Sequence, residues 1–501
     1  MFVKVKSVGI YGLDIYPLLV EVDVQRGLPS FEIVGLPDKA VKEARERVRS
    51  AIKNCGWQFP LARITVNLSP ASIKKAGPFY DLPIAIGILL ASQQLCLPEK
   101  VLEQTYFMGE LSLNGEIRQV KGIYAAALML SELENNCYLC SAVKSAVEAS
   151  AAGIIFYGLT TLKDLIDLSE NKLRPKKILP SFSTSLNNPD NGLFEEIYGQ
   201  EQAKYAVQIA AAGGHHLLLQ GPPGVGKTML ARLLAQLLPP LTTHEQKEVN
   251  RIYSLAGIER TFLDNCRPFR APHHTASKAI IIGSPRRQMP GEITLAHRGV
   301  LFLDEIAEFS RDVLESLRQP LEEGKISLGL VQQKLEFPSV FQLVAAMNQC
   351  PCGKDRTECK CSPAQVERYR YKLSGPILDR IDLKVELFRP TYKEIKSTSV
   401  FNKGKVKQQI VHAKEIQMKR YGVRHLNNAN VSLSIFREKA EISESALELL
   451  DYAYEKFKMT MRSYWRVFRV ARTIADLADS LLIKEEHMAI ALQYRILNEN
   501  N

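Results

Sequence analysis

An eight-residue glycine-rich segment between two apolar runs constrains the fold of this chain more than any other feature. An apolar run at residues 217–219 precedes it and an apolar-periodic run at 229–238 follows it, which predicts a strand, a loop and a helix. In that context, glycines let successive backbone N–H groups surround phosphate oxygens, and the helix N-terminus adds partial positive charge. The segment consists of Gly221, Pro222, Pro223, Gly224, Val225, Gly226, Lys227 and Thr228.

Four polar side chains complete a predicted nucleotide site. Lys227 is predicted to reach the β and γ phosphates, and the Thr228 hydroxyl to take a Mg²⁺ position. A buried-strand pattern at 300–303 ends in Asp304 and Glu305, and parallel α/β sheets bind ligands at such strand ends. We predict that Asp304 holds Mg²⁺ through its water shell and that Glu305 polarises the attacking water. The alternative is a pair of surface acids that cap a strand.

Composition limits the class of protein. A chain of 501 residues is too long for one core, so two to four domains are expected. No apolar run reaches ~18 residues, and the first residues lack a signal-peptide pattern, so we expect a cytoplasmic protein without a membrane partner. The net charge of +11 is compatible with a nucleic-acid partner, although a solvated basic face would explain it equally.

Alternating β-type and helical patterns predict an α/β protein with four parts. Residues 1–168 have the pattern of a compact α/β domain, and residues 169–195, rich in proline, serine and asparagine, that of a linker. Residues 196–390 are predicted to form a parallel-sheet core around the phosphate loop. Residues 391–501 are predicted to form a basic segment and a helical lid.

One segment of the predicted core suggests contact with a partner, and a second predicts a hairpin. Arg286 and Arg287 occupy a loop bounded by glycine and proline, which suits an exposed finger that reaches a phosphate backbone. Residues 324–340 form two β-type runs around a polar turn, a hairpin signal. Adjacent histidines are expected to point in different directions, so for His273 and His274 polar structural or substrate-contact roles are favoured over metal binding.

Three further residues are candidates for sensing nucleotide. Asn348 ends a buried-strand pattern and is placed to orient the attacking water and to sense the γ-phosphate. Arg380 occupies the region where an arginine of a ring ATPase reaches the neighbouring subunit's γ-phosphate, although pairing with Asp379 or Asp382 is an alternative. Arg462 begins a C-terminal helix and is placed to swing onto bound nucleotide.

Four cysteines follow Asn348 in two C-x-C pairs within twelve residues. In a reducing cell, four thiols could form a tetrahedral zinc site. The C-x-C spacing is less typical than C-x₂-C, so a redox pair or structural cysteines in a turn stay open. The cysteines are Cys350, Cys352, Cys359 and Cys361.

Basic residues concentrate near the start of the predicted lid. Residues 391–430 contain nine lysines and arginines against two glutamates, a local net charge of +7. This segment is the best candidate for contact with a phosphate backbone, and a solvated helix face is the alternative.

Two segments within residues 1–168 resemble the catalytic segments of the Lon-type protease domain. They are residues 74–81, which read KKAGPFYD, and residues 109–124. That family uses a serine and a lysine as nucleophile and base. Here the first position falls within residues 79–81 and the second at Tyr124, so the resemblance implies a Lon-like fold that has lost the protease dyad.

Residues 267–293 form an insertion between the two nucleotide motifs that a minimal ATPase does not need. Together with this insertion and the cysteine element, residues 378–382 (LDRID) and 469–477 (RVARTIADL) make the chain resemble one family over nearly its whole length. This is the ComM/YifB family of magnesium chelatase-like AAA+ proteins. The resemblance implies an ATPase that uses Mg²⁺ and assembles into a nucleotide-dependent homo-hexameric ring. Family members of the ComM type act as DNA helicases that drive branch migration during recombination of DNA taken up in natural transformation.

The same resemblance implies roles for individual residues. The hairpin at 324–340 resembles a loop that lines the ring pore and grips DNA. Arg380 corresponds to the arginine finger, Asn348 to the first sensor and Arg462 to the second sensor. Met461 and Ser463 flank Arg462 where a small residue and a glycine are expected.

Two functions compete at this stage. The first is an ATP-driven motor on single-stranded or branched DNA, favoured by the insertion arginines and the basic segment at 391–430. The second is an AAA+ chaperone-like ATPase that remodels a protein partner, as magnesium chelatase subunits do. ATP-dependent proteolysis is disfavoured, since the dyad is missing.

Overall fold

The computed structural model separates the chain into two units. The first comprises Met1–Thr184, Thr243–Asp264 and Arg286–Met289, and the second Ser185–Thr242, Asn265–Pro285 and Pro290–Asn501. The expected linker and the basic segment lie partly outside the described residues. Those described are 1–133, 136–175, 197–258, 260, 264–330, 333–354, 359–373, 375–392, 402–423 and 426–496.

A four-stranded sheet with one buried face begins the first unit. Its strands are β1 (Phe2–Tyr11), β2 (Asp14–Gln25), β3 (Ser30–Val34) and β4 (Arg63–Ser69). The order is β1-β2-β4-β3, in which β3 and β4 are parallel and the other pairs antiparallel. In β2, the side chains of Leu18, Val20 and Val22 are buried at a period of two, which places one face of the sheet on the core.

A second, parallel sheet and six helices pack in the same unit. Its strand order is β5-β8-β9, and β6 pairs with β7. The strands are β5 (Thr105–Phe107), β6 (Glu110–Leu111), β7 (Ile117–Arg118), β8 (Tyr138–Ala142) and β9 (Ile155–Leu159). The helices are α1 (Lys39–Asn54), α2 (Asp81–Ala91), α3 (Glu99–Gln104), α4 (Ile123–Leu133), α5 (Ala146–Ala151) and α6 (Asp164–Ser169). Every residue of α2 is buried, as expected for a helix that is apolar on all sides.

A helix from the middle of the chain, α9 (Thr243–Ala256), belongs to the first unit. The Ser254 hydroxyl donates to the Glu148 carboxylate at 2.6 Å, and the Tyr124 N–H donates to the same oxygen at 2.9 Å. Leu255 joins the apolar core of this unit. A segment that follows the phosphate loop in sequence therefore packs with N-terminal residues.

A five-stranded parallel sheet organises the second unit. Its strands are β10 (Leu217–Gln220), β11 (Phe269–Arg270), β14 (Val300–Leu303), β17 (Gln342–Met347) and β18 (Leu383–Glu386). The order is β11-β14-β17-β10-β18, and all neighbours run parallel. Every residue of β14 and β17 is buried, as in a sheet covered on both faces. The carboxyl ends of β10, β14 and β17 therefore meet at one edge.

Two pairs of short strands accompany this sheet. They are β12 (Gly283–Ser284), β13 (Met289–Pro290), β15 (Lys325–Leu330) and β16 (Gln333–Pro338). The antiparallel pairing of β15 with β16 confirms the hairpin predicted within 324–340. Ile326, Leu335 and Phe337 are buried, which fixes one face of the hairpin on the unit.

Helices complete the second unit, and the C-terminal region is helical. They are α7 (Glu201–Gly213), α8 (Lys227–Leu237), α10 (Lys278–Ile282), α11 (Glu292–Leu295), α12 (Arg311–Ser316), α13 (Arg318–Glu323), α14 (Pro363–Arg370), α15 (Gly375–Leu378), α16 (Lys403–Tyr421), α17 (Leu433–Lys439), α18 (Glu444–Lys456), α19 (Met461–Leu477) and α20 (Glu485–Ile496). The mixed α/β architecture is thus confirmed. Among the described helices, none has the length and apolar composition needed to cross a membrane.

Candidate active site

The glycine-rich loop joins β10 to α8, as the sequence predicts. Gly224 and Gly226 have φ angles of +79° and +93°, a backbone region that side chains disfavour. A Cβ atom at either position would meet no atom within 4 Å, so the space above the loop is open. Open space beside backbone N–H groups and a helix N-terminus fits the phosphates of a nucleotide.

Lys227 and Asn348 meet beside this loop. The Lys227 ammonium donates to the carbonyl oxygens of Gly221 at 2.7 Å and Pro222 at 2.8 Å, and to the Asn348 side-chain oxygen at 3.1 Å. The contact arises because β10 and β17 are neighbours with Gln220 opposite Met347. Burial lowers the pKa of Lys227, and the nearby carboxylates oppose this shift.

Thr228 and the two acidic residues converge at the end of β14. The Thr228 hydroxyl donates to Asp304 Oδ2 at 3.4 Å, and the Glu305 N–H donates to Asp304 Oδ1 at 3.0 Å. Hydroxyl and carboxylate oxygens are the ligands that Mg²⁺ prefers, so this donor set fits the expected ion. The structure thus brings together the predicted nucleotide and metal residues of three strand ends.

His274 is a member of the site that sequence reasoning did not assign. Its Nδ1 lies 3.3 Å from Glu305 Oε2. The contact follows from the pairing of β11 with β14, because residues that follow β11 reach the end of β14. The histidine pair is visible in the sequence, but nothing local indicates which strand lies beside β11.

Arg380 and Arg462 meet at a third residue, Glu322, which the sequence did not single out. Both guanidinium groups donate to Glu322 Oε1, Arg462 at 2.9 Å. The Arg380 side chain is 5% exposed, and burial lowers its pKa although Glu322 opposes this. Arg380 also donates to the Pro376 carbonyl oxygen, so the hydrogen bonds of the two arginines among the described residues lie at α13 and α15 and not at the phosphate loop.

The alternative pairing of Arg380 with neighbouring aspartates is wrong. Asp382 pairs with Arg466, and Asp379 lies 3.6 Å from Arg495. Arg466 and Arg495 come from α19 and α20, so the C-terminal helices supply the partners of these aspartates. Arg380 instead forms an ion pair with the carboxylate of Glu322.

The four candidate zinc ligands converge. The sulfur atoms of Cys350, Cys352, Cys359 and Cys361 all lie within 4.8 Å of one another. They form the one such group of potential metal ligands among the described residues. By contrast, Cys137 and Cys140, whose C-x-x-C spacing is the more usual metal pattern, are buried outside any such group.

The basic segment divides into different environments. Arg420 is bound to the buried Asp476, so it is an internal ion-pair partner and not a free surface charge. Lys405, Lys407 and Lys419 are exposed on α16. Part of the segment, at 393–401 and 424–425, lies outside the described residues, so its role as a phosphate contact stays a prediction.

The positions of the missing protease dyad are filled by structural contacts. Asp81 is buried, and it accepts hydrogen bonds from Arg47 Nε at 2.6 Å and from the Leu111 N–H at 3.2 Å. Tyr80 is fully buried, and Tyr124 is buried at the start of α4. Neither position carries the serine or lysine that acyl transfer requires.

Three family models cover most of the chain. "Magnesium chelatase, subunit ChlI" matches residues 193–395, "Subunit ChlI of Mg-chelatase" matches 20–143, and "Magnesium chelatase, subunit ChlI C-terminal" matches 402–495. The chain is 41% identical over 488 residues to the competence protein ComM of Haemophilus influenzae, which covers 95% of this chain and 94% of the relative. The chain belongs to the magnesium chelatase-like ComM/YifB family.

Further relatives agree with this membership. YifB of Escherichia coli is 38% identical over 493 residues, or 97% of this chain and 96% of YifB. Two weaker matches cover less of the chain. Lon protease 2 of Bacillus subtilis is 29% identical over 234 residues, or 40% of this chain and 42% of the protease. The Holliday junction branch migration complex subunit RuvB of Prochlorococcus marinus is 26% identical over 248 residues, or 46% of this chain and 55% of RuvB. The ComM/YifB family consists of AAA+ ATPases, whose cofactors are ATP and Mg²⁺.

Proposed function

We propose that the chain is an ATP-hydrolysing ring motor that acts on single-stranded or branched DNA. Its activity would be that of a helicase that promotes branch migration in homologous recombination during natural transformation. The names of two relatives support this proposal: one is a competence protein and the other is a subunit of a branch migration complex.

The observation that carries the proposal is the place of the hairpin formed by β15 and β16. It follows α13, whose Glu322 binds Arg380 and Arg462, and it precedes β17, which ends at Asn348. One continuous segment therefore connects a residue that binds both arginines to the residue beside Lys227. A change at the nucleotide can thus reach the hairpin through short covalent connections, as a motor requires.

The contacts around the phosphate loop support a role in hydrolysis for each of these residues. Lys227 and the loop N–H groups would bind phosphate oxygens, and Thr228 and Asp304 would hold the metal. Mg²⁺ bound with ATP supplies charge neutralisation on the phosphate oxygens. Glu305 takes the proton of the attacking water, and Asn348 orients that water.

A ring would complete each site from the neighbouring subunit. In the proposed homo-hexamer, Arg380 is the arginine finger that stabilises charge on the neighbour's phosphate, and Arg462 is the second sensor from the lid. In the single chain, Arg380 and Arg462 both donate to the Glu322 carboxylate. One arginine can therefore replace the other as the partner of this carboxylate.

The test is ATP hydrolysis by the full chain with and without forked or Holliday-junction DNA. We expect DNA to stimulate hydrolysis, and this stimulation to fall steeply with added salt, because phosphate contacts release counterions. Glu305→Gln should abolish the stimulated rate while nucleotide binding persists. Hydrolysis indifferent to every DNA structure would contradict the proposal.

A second candidate is a chaperone-like ATPase that remodels a protein partner. It is favoured by the family models, which bear the name of a magnesium chelatase subunit, and by α9, a helix from the ATPase half that packs in the first unit. Such a helix would link a partner bound to the first unit with the ATPase segment. Under this candidate, hydrolysis responds to a protein and not to DNA.

A further inference from the structure

Four sulfur atoms gather directly after the strand that ends at Asn348. Cys350 Sγ lies 3.0 Å from Cys352 Sγ and 3.4 Å from Cys359 Sγ, and the last two are 3.6 Å apart. A disulfide bond would bring two sulfurs to about 2.0 Å. Four thiolates around one Zn²⁺, each at about 2.3 Å, would lie about 3.8 Å from one another. The observed spacing is closer to a shared metal than to a disulfide.

The burial of the cluster also fits a structural metal. Cys350 is buried, Cys359 and Cys361 are half-buried and Cys352 is exposed, so the cluster extends from the protein interior to solvent. Four protein ligands leave no open coordination position, which distinguishes a structural zinc from a catalytic one. Binding requires the thiols as thiolates, and their protons are released to solvent.

The start of the cysteine segment, residues 350–354, packs against the nucleotide site. Gly353 lies within it at a φ of +69°, and a Cβ atom there would be 3.7 Å from Asn348 Nδ2 and 3.9 Å from Pro223 Cδ. The loop backbone thus faces both the Asn348 amide and the phosphate loop. Asn348 in turn accepts a hydrogen bond from Lys227.

We propose that Cys350, Cys352, Cys359 and Cys361 bind one Zn²⁺ ion, and that the bound metal fixes residues 350–354 and thereby holds the Asn348 amide in place beside Lys227. The proposed zinc site rests on the sulfur geometry alone and is independent of any action on DNA. The positioning part rests on the role proposed for Asn348 in hydrolysis. In this account the cysteines are positioning residues that act through Asn348.

The metal is tested first on the full chain, purified under reducing conditions without chelator. We expect one zinc per chain by elemental analysis, with the four cluster thiols unreactive until the metal is displaced. Cys359→Ser combined with Cys361→Ser should remove the zinc, whereas Cys96→Ser, which changes an exposed cysteine outside the cluster, should retain it. A zinc-free native chain with these thiols reactive, or joined as disulfides, would overturn the site.

The coupling to hydrolysis is tested without DNA, so it does not depend on the proposed motor activity. We expect the double serine variant to lose about 10-fold or more in kcat, with nucleotide affinity changed by less than about 2-fold, as for residues that orient a functional group. Should the variant fail to fold, chelator-treated wild type re-supplied with zinc gives the same comparison. Full kcat in folded metal-free chain, or an equal loss of nucleotide affinity, would refute the positioning role.

Discussion

Single residues of the second unit show how the site is held in place. Glu305 has a φ of +50°, a left-handed conformation that is rare for a residue other than glycine. Such strain costs of order 1–3 kcal/mol and persists only where the surroundings impose it. Here the Glu305 N–H is fixed by Asp304 and its carboxylate lies beside His274. The backbone conformation thus aims the carboxylate of the proposed base.

The buried His216, which precedes β10, leads us to predict that acid destabilises the second unit. Its Nδ1 accepts a hydrogen bond from the Leu343 N–H at 3.1 Å. Burial lowers its pKa to about 4, with Arg466 and His215 acting in the same direction and Asp382 opposing. The unfolded chain, with a histidine pKa near 6.5, therefore binds this proton more tightly. Stability of the second unit should fall as pH drops from about 6.5 to 4, by up to about 3 kcal/mol.

The variant His216→Asn isolates this effect, because its amide oxygen can accept the same hydrogen bond without titrating. Unfolding can be followed in urea by the fluorescence of Trp465 in a Trp57→Phe background, since these are the two tryptophans of the chain. We expect the loss of stability between pH 7 and pH 4.5 to be smaller in His216→Asn. Equal pH dependence in both proteins would show that His216 is not responsible.

At the scale of elements, sequence reasoning succeeded where the signal was local. The phosphate loop and the acids after β14 each lie within a few residues of their strand, so a short pattern reveals them. The hairpin of β15 and β16 was found in the same way. The role of Glu322 and the contact of His274 depend on which elements lie side by side, which no local pattern specifies. The packing of α9 in the first unit was missed for the same reason.

The C-terminal helices of the second unit are joined by a buried charge network, which gives an element-scale prediction. Asp476 of α19 is fully buried and accepts from Arg420 of α16 at 3.0 Å, from Arg472 at 3.0 Å and from Asn428 at 2.8 Å. Asp476→Asn would leave two guanidinium groups without their counter-charge. We expect the second unit to lose about 3–5 kcal/mol of unfolding free energy, again measured by Trp465 fluorescence.

A matched change is available three residues further along the chain. Asp479 is 76% exposed and its partner is His412 at 3.1 Å. Asp479→Asn should change the unfolding free energy by less than about 0.5 kcal/mol. Comparable losses in both variants would mean that removal of any acidic charge destabilises the C-terminal helices, which would contradict a specific role of the buried network.

At the scale of the whole molecule, the proposed ring predicts that two inactive variants restore each other. Arg380→Ala would lack the finger offered to the neighbour but keep Glu305, and Glu322 would keep Arg462 as its partner. Glu305→Gln would lack the base but keep the finger. We expect each alone to lose at least about 10³-fold in hydrolysis, by analogy with arginine fingers supplied in trans.

In mixed rings, a site of the Arg380→Ala subunit can receive the intact finger of a Glu305→Gln neighbour. Random assembly of an equal mixture would complete about a quarter of the interfaces, so activity should recover to at most about that fraction of wild type. Lys227→Ala mixed with Glu305→Gln is the control, because both defects lie in the same half of the site and no arrangement completes it. Hydrolysis that stays absent from the first mixture, although differently tagged subunits co-purify, would mean that Arg380 serves only its own chain, where Glu322 already holds it.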